Sequence, residues 1–171
     1  MDLWYGITLA GGPEIWTFST LLVLLAYFLF KKKLKPGQKA LFKKFAAIYI
    51  ISILFAVATV LVLKNALQTD RPCIPCIFQF TDCNPYCLSD NAFPSGHAAT
   101  IFAAFMPVWL VLRKRWTYPL FLIPFLVASS RYFLHVHRIV DILAGACIGI
   151  AIPIIALKIY EKKPKILSFL Y

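Results

Sequence analysis

Five apolar runs leave this chain few folds to adopt: residues 15–30, 45–63, 93–112, 116–130 and 139–157. A helix needs about 20 residues to cross the hydrocarbon core of a bilayer. The second, third and fifth runs reach or nearly reach that length; the first and fourth must borrow flanking residues. In hydrocarbon every backbone N–H and C=O has to be satisfied internally, which helices do within a single segment. Composition agrees: 61% of the 171 residues are hydrophobic and 15% charged, too little polar surface for a soluble domain of this size. The expected fold is an all-α integral membrane protein, a single domain over 1–171 with a bundle of about five transmembrane helices. Residues 1–14, mildly apolar and carrying Trp4 and Tyr5, read as an interfacial or re-entrant segment, and would make the count six if they helped to span. The N-terminus lacks a basic leader and the first apolar run ends in lysines rather than small residues, so no cleavable signal peptide is expected. There is no internal repeat.

A net charge of +11 could suggest nucleic acid, but the charge sits in short clusters between apolar runs, which is how membrane topology is written. The connection 31–44 holds seven lysines, Arg113, Lys114 and Arg115 follow the third run, and Lys158, Lys162, Lys163 and Lys165 close the chain. The positive-inside rule makes these regions cytoplasmic, and they account for 14 of the 18 basic residues. Lys64, Arg71, Arg131 and Arg138 remain on the other side. Orientation leaves these four unexplained, so they are candidates for chemistry.

Three segments supply that candidate chemistry. In the first, Lys64 and Arg71 stand seven apart with Pro72 following. The second, Phe93 to Thr100 (FPSGHAAT), opens the third span; Ser95 or Gly96 can cap a helix whose free N–H groups form an anion site, or His97 can be incidental to an ordinary cap. In the third, SRYFLHVHRIVD at 130–141, His137 and Asp141 are four apart and share a helical face. The carboxylate can then accept from one imidazole nitrogen and leave the other as a base or nucleophile; the bland alternative is a satisfied buried pair. His135 does not share that face. Each cation taken singly could be snorkelling from a helix end. Together, beside two histidines and a helix N-terminus, they suit a dianionic phosphate. Carboxylates number only seven in the chain, and the convergent segments offer Asp141 and at most Asp70. A two-metal site needs several, so metal-independent phosphoryl transfer, without a cofactor, is expected.

These three segments, in order and in internal spacing, resemble the signature of the type-2 phosphatidic acid phosphatase superfamily. The resemblance spans residues 64–141 and implies a helical core like that of acid phosphatases and vanadium haloperoxidases. It implies that His137 attacks phosphorus and forms a phosphohistidine with Asp141 orienting it, and that His97 protonates the leaving oxygen. Lys64, Arg71, Ser95, Gly96 and Arg131 would bind the phosphoryl oxygens. The family commonly has six transmembrane helices against the five clear ones here. The partners implied are a lipid phosphate substrate and the bilayer, with no nucleic acid and no obligate protein partner, and the location is a bacterial inner membrane with the site facing the periplasm. The chain looks most like lipid A 1-phosphatases; phosphatidylglycerol phosphate and undecaprenyl pyrophosphate are the alternative substrates. A non-catalytic lipid-phosphate carrier is the alternative of another class, but it would not need an imidazole held by a carboxylate.

The loop 64–92 carries Cys73, Cys76, Cys83 and Cys87. A four-thiolate zinc site fits the C-x2-C and C-x3-C spacings, but two disulfides fit an oxidising compartment better, with the pairing open. Cys147, inside the fifth run, reads as packing.

Overall fold

The computed structural model describes residues 2–74 and 83–162 and is all-helical there. Six α-helices follow in chain order: α1 (Asp2–Leu9), α2 (Pro13–Phe30), α3 (Pro36–Leu67), α4 (Gly96–Pro107), α5 (Leu122–Phe133) and α6 (Ile139–Lys162). The helix boundaries follow local chemistry. Proline opens α2 and α3, where its missing N–H costs nothing. The Gln38 side chain accepts from the Lys35 N–H to cap α3, and Gln68, in a left-handed conformation (φ 43°), ends it.

The apolar runs all become helical, but not all at full length. Only α3 and α6 among the described residues are individually long and apolar enough to cross a membrane, and α1 with α2, bent by 41°, would count as a third if they form one span. The N-terminal segment is thus a helix set at an angle to α2. The third run continues from α4 into a wider π-helical turn, Val108–Leu112, and stops at Arg113 (φ 48°). The fourth starts late: Pro119 and its neighbours form short 3-10 turns and leave α5 only twelve residues.

α4 is the centre of the bundle, packed on α6, α3 and α5. Its Ala98, Ile101, Phe102 and Ala103 are buried against Tyr49, Ile53 and Ala56 of α3 and Val127 of α5. Contact with α6 is closest where α6 has glycine: a Cβ at Gly145 would run into the Ser95 carbonyl oxygen, and one at Gly149 into the Ala99 carbonyl oxygen. Small residues allow such backbone approach between membrane helices. The outside is apolar, with Leu25, Phe55, Val62, Leu122 and Leu143 exposed, as a lipid-facing surface requires. Cys147 is also exposed; it faces away from the bundle, so the expectation that it serves as packing is wrong.

Both lysine-rich regions adjoining α3 and α6 lie at one end, tied by the Lys44–Glu161 ion pair (2.9 Å). At 1.5 Å per residue, the 32 residues of α3 run about 48 Å from that end to the other. Lys64 sits in its last turn, so the candidate site lies at the opposite end.

Candidate active site

Two loops cover that far end. The first, from α3 to α4, is stitched onto the end of α3: Asn91 Nδ2 donates to the Lys64 carbonyl (3.0 Å), and Thr69 accepts from the Ala92 and Phe93 N–H groups. Cys73 and Cys87 form a disulfide across it, and Cys83 is disulfide-bonded as well. Cys76 lies outside the described residues. Asn84 Nδ2 reaches the Leu134 carbonyl (2.8 Å) and joins this loop to the second one.

The second loop, between α5 and α6, is a tight reversal. His135 takes a left-handed φ of 56°, a conformation uncommon outside glycine but one that asparagine, aspartate and histidine adopt more readily than other residues. That turn tucks Val136 and His137 inward, to 0% and 3% exposure, and leaves His135 in solvent. His135 therefore has a conformational role that its sequence position alone did not suggest.

His137 lies between Arg71 and Asp141. Arg71 Nη1 lies 3.1 Å from its Nε2 and also donates to the Val136 carbonyl (3.0 Å). A guanidinium can only donate, so Nε2 carries the lone pair and Nδ1 the proton. Nδ1 faces Asp141 Oδ2 at 3.4 Å, while the same oxygen accepts the Arg138 N–H (2.9 Å). Burial first, then the positive charges of Arg71, Arg131 and Lys64, push the His137 imidazole down to about 2. It is neutral at any working pH, with its free electron pair directed at the cations.

Those cations are joined by a residue that sequence reasoning passed over. Asp90 Oδ1 pairs with Arg71 Nη2 and Oδ2 with Lys64 Nζ, both at 2.5 Å, and the Asp90 carbonyl accepts from Arg71 Nε (3.0 Å). Lys64 donates in addition to the Asn91 carbonyl. Burial would raise the Asp90 carboxyl, but Lys64 and Arg71 hold it below its ordinary value. Asp70, the carboxylate considered at this end, is exposed and lines no part of the cavity described next.

Lys64, Arg71, Asp90, Gly96, His97 and His137 line one cavity of about 180 Å³, walled on one side by Val57, Val60 and Leu61 of α3. Gly96 and His97 are the first residues of α4, where free N–H groups point outward from the helix start. Ser95 caps that helix, accepting from the Ala98 N–H (3.5 Å), and its own N–H donates to the Asp141 carbonyl (2.9 Å). It is fully buried and supports the cavity from behind rather than lining it. Arg131 is 3% exposed and lines a neighbouring cavity, with Nη1 on Thr8 Oγ1 (2.7 Å) and Nε without a partner among the described residues. His97 borders both cavities. Five of the eight expected catalytic and phosphate-binding residues thus share one cavity, and Asp141, Ser95 and Arg131 surround it. Thr8, on an N-terminal helix, gave no sequence signal. Among the described residues no three His, Cys, Asp or Glu side chains group as a metal site.

A neutral imidazole with its lone pair inward, a carboxylate behind it, two cations in front and a second histidine at a helix start can carry out nucleophilic displacement at an oxyanionic centre. Residues 45–165 match the PAP2 superfamily. The crystal structure of LpxE from Aquifex aeolicus is similar, with 25% identity, a TM-score of 0.67, and coverage of 92% of this chain and 84% of that one. The first transmembrane PAP2 type phosphatidylglycerolphosphate phosphatase from Bacillus subtilis shares the fold at 19% identity, with a TM-score of 0.74 over 94% of this chain and 76% of that one. No curated protein matches the chain.

Proposed function

The chain belongs to the PAP2 superfamily and is a lipid phosphatase, a phosphoric monoester hydrolase, and from that premise we propose that it cleaves a membrane lipid phosphate through a phosphohistidine at the periplasmic face of a bacterial inner membrane. His137 Nε2 attacks phosphorus, forming the N–P bond as the P–O bond to the lipid breaks, and His97, protonated once the phosphate dianion offsets the neighbouring cations, gives that proton to the departing oxygen. Lys64, Arg71, Arg131 and the N–H groups at the start of α4, capped by Ser95, stabilise the charge spread over the phosphoryl oxygens. Asp141 holds the Nδ1 proton and so keeps Nε2 nucleophilic. Water then attacks the phosphohistidine with His97 as base, and inorganic phosphate leaves.

The observation that carries this reading is the unprotonated Nε2 of His137 aimed at Arg71 inside a cavity that also holds Lys64 and His97. Among the described residues Asp90 is the one carboxylate lining that cavity, and it is committed to two cations, which supports charge stabilisation by fixed side chains. The lysine-rich end opposite the site, with a disulfide beside the site, supports the periplasmic orientation. Among substrates we rank lipid A phosphorylated at its 1-position first, on the 25% identity to LpxE over most of the chain, and phosphatidylglycerol phosphate and undecaprenyl pyrophosphate after it.

The test is phosphate release by purified protein in detergent with a chelator present, compared across these lipids and phosphatidic acid. His137→Ala should abolish release while keeping the fold, and vanadate should inhibit the parent. Full activity in His137→Ala removes the nucleophile assignment; no release from any of the lipids removes the reading altogether.

A further inference from the structure

An acidic side chain standing between the two cations of a phosphate site has to be displaced before phosphate can enter. Asp90 is so placed: its two carboxylate oxygens take Lys64 and Arg71, one each. The backbone around it is fixed by Thr69 and Asn91, whereas its side chain is 49% exposed and has water to swing into. Releasing it needs rotation of one short side chain and no movement of the loop.

The charge balance then decides what can displace it. Two cations facing one carboxylate leave a net charge of +1. A phosphomonoester dianion brings the charge to balance, since it can satisfy both cations and add a second negative charge. A phosphodiester carries one negative charge, the same as Asp90, so the exchange trades an intramolecular, pre-positioned partner for an external one of equal charge. The apolar wall formed by Val57, Val60 and Leu61, with Leu61 exposed on the outside of α3, opens the cavity toward lipid. There the bulk headgroups are phosphodiesters at very high local concentration.

We propose that Asp90 is a built-in competitor that makes the Lys64–Arg71 clamp selective for dianionic phosphomonoesters over the monoanionic phosphodiesters of the surrounding bilayer. This deepens the lipid phosphatase reading and rests on it. It also gives the resting contact between Arg71 and His137 a purpose, because the displaced clamp is free to turn Arg71 from Nε2 onto a phosphoryl oxygen at the moment of attack.

The test uses the full chain in neutral detergent near pH 8, where phosphomonoesters, with a second pKa of about 6, and most inorganic phosphate are dianionic. Thermal unfolding is followed with inorganic phosphate or dimethyl phosphate added. The parent should be protected by inorganic phosphate and not by dimethyl phosphate at equal concentration. Asp90→Asn should be protected by both, its apparent affinity for dimethyl phosphate rising about tenfold, the size expected when a charge-assisted contact no longer competes. Asp90→Ser is made alongside in case the amide disturbs the loop, and Asp90→Glu should discriminate like the parent. Protection of the parent by both ions, discrimination unchanged in Asp90→Asn and Asp90→Ser, or loss of inorganic phosphate binding in them would each overturn the proposal; the last would make Asp90 a positioning residue. Phosphate release from a lipid monoester, measured on the same preparations, keeps the two readings apart. An inactive parent sinks the function, whereas an active parent with unaltered selectivity in the variants sinks only the role of Asp90.

Discussion

Replacing Gly145 with alanine should damage catalysis more than stability, and Gly149→Ala should do the reverse. At Gly145 the added Cβ would overlap the Ser95 carbonyl oxygen and lie 3.1 Å from Ala98 Cβ and 3.2 Å from Ala99 N. These are the backbone of α4 and a short stiff side chain, so the only relief is for α6 to move away by about 1 Å, as far as ordinary van der Waals contact requires. Overpacking of this kind costs about 1–3 kcal/mol. The same movement pulls Asp141, one turn earlier on α6, away from the Ser95 N–H it bonds at 2.9 Å, and with it the support behind His137. A misplacement of about 1 Å at a reacting group can cost on the order of 100-fold in rate. Gly149→Ala meets equally unyielding atoms, with Phe102 Cβ at 2.7 Å and Ala103 N at 3.0 Å, but a turn further from the site. The comparison is kcat for a lipid monophosphate against the midpoint of thermal unfolding, for both variants. Equal losses of rate at matched stability would show that α6 does not transmit position to His137. Unimpaired rate in Gly145→Ala would show that the helices have room that the structure denies them.

Two further outcomes follow from the site and its loop. His137 stays neutral when folded, its imidazole pushed down to about 2, while in the unfolded chain it takes a proton below about 6.5. The unfolded state therefore binds more protons as pH falls through that window, and stability declines by up to about 1.4 kcal/mol per pH unit below 6.5. His137→Gln should unfold with a shallower dependence between pH 7 and 5, and an identical slope would mean that His137 is protonated when folded. Removing the Cys73–Cys87 bridge, which closes a loop with a sequence separation of 14, should cost about 3 kcal/mol on the chain-entropy account. Unfolding midpoints of the parent and of a Cys73→Ser, Cys87→Ser double variant measure it, and no change would mean that this bridge adds nothing to the other ties of the loop.

What could be read from residues was the part written in spacing and in hydropathy. Helix identity and the lysine-rich end depend on local patterning, and the structure shows both; His137 and Asp141 do approach, at 3.4 Å, but His137 lies in the turn before α6 rather than on a shared helical face. Exact lengths did not follow. Pro119 removes an N–H and delays α5, and the run from 93 gives its last turn to a π-helix, neither of which average hydropathy registers. Asp90 was overlooked because nothing in its sequence environment says which cation it meets; the pairing spans 26 residues to Lys64 and 19 to Arg71. Arg131 lines the neighbouring cavity with Thr8, a partner 123 residues away that local spacing does not register. His135 shows the converse: its sequence position offered it no part in the chemistry, yet its positive φ makes the turn that brings His137 inward.

The length of α3 also sets the conditions under which turnover must be measured. A helix of about 48 Å overreaches a hydrocarbon layer of about 30 Å, so the cavity at its tip lies at headgroup depth and a bound lipid keeps its chains among its neighbours. Encounter then happens by lateral diffusion within the leaflet, and the relevant variable is the mole fraction of substrate in the surface. Diluting the substrate with inert amphiphile at constant bulk concentration should slow the reaction as surely as withholding it.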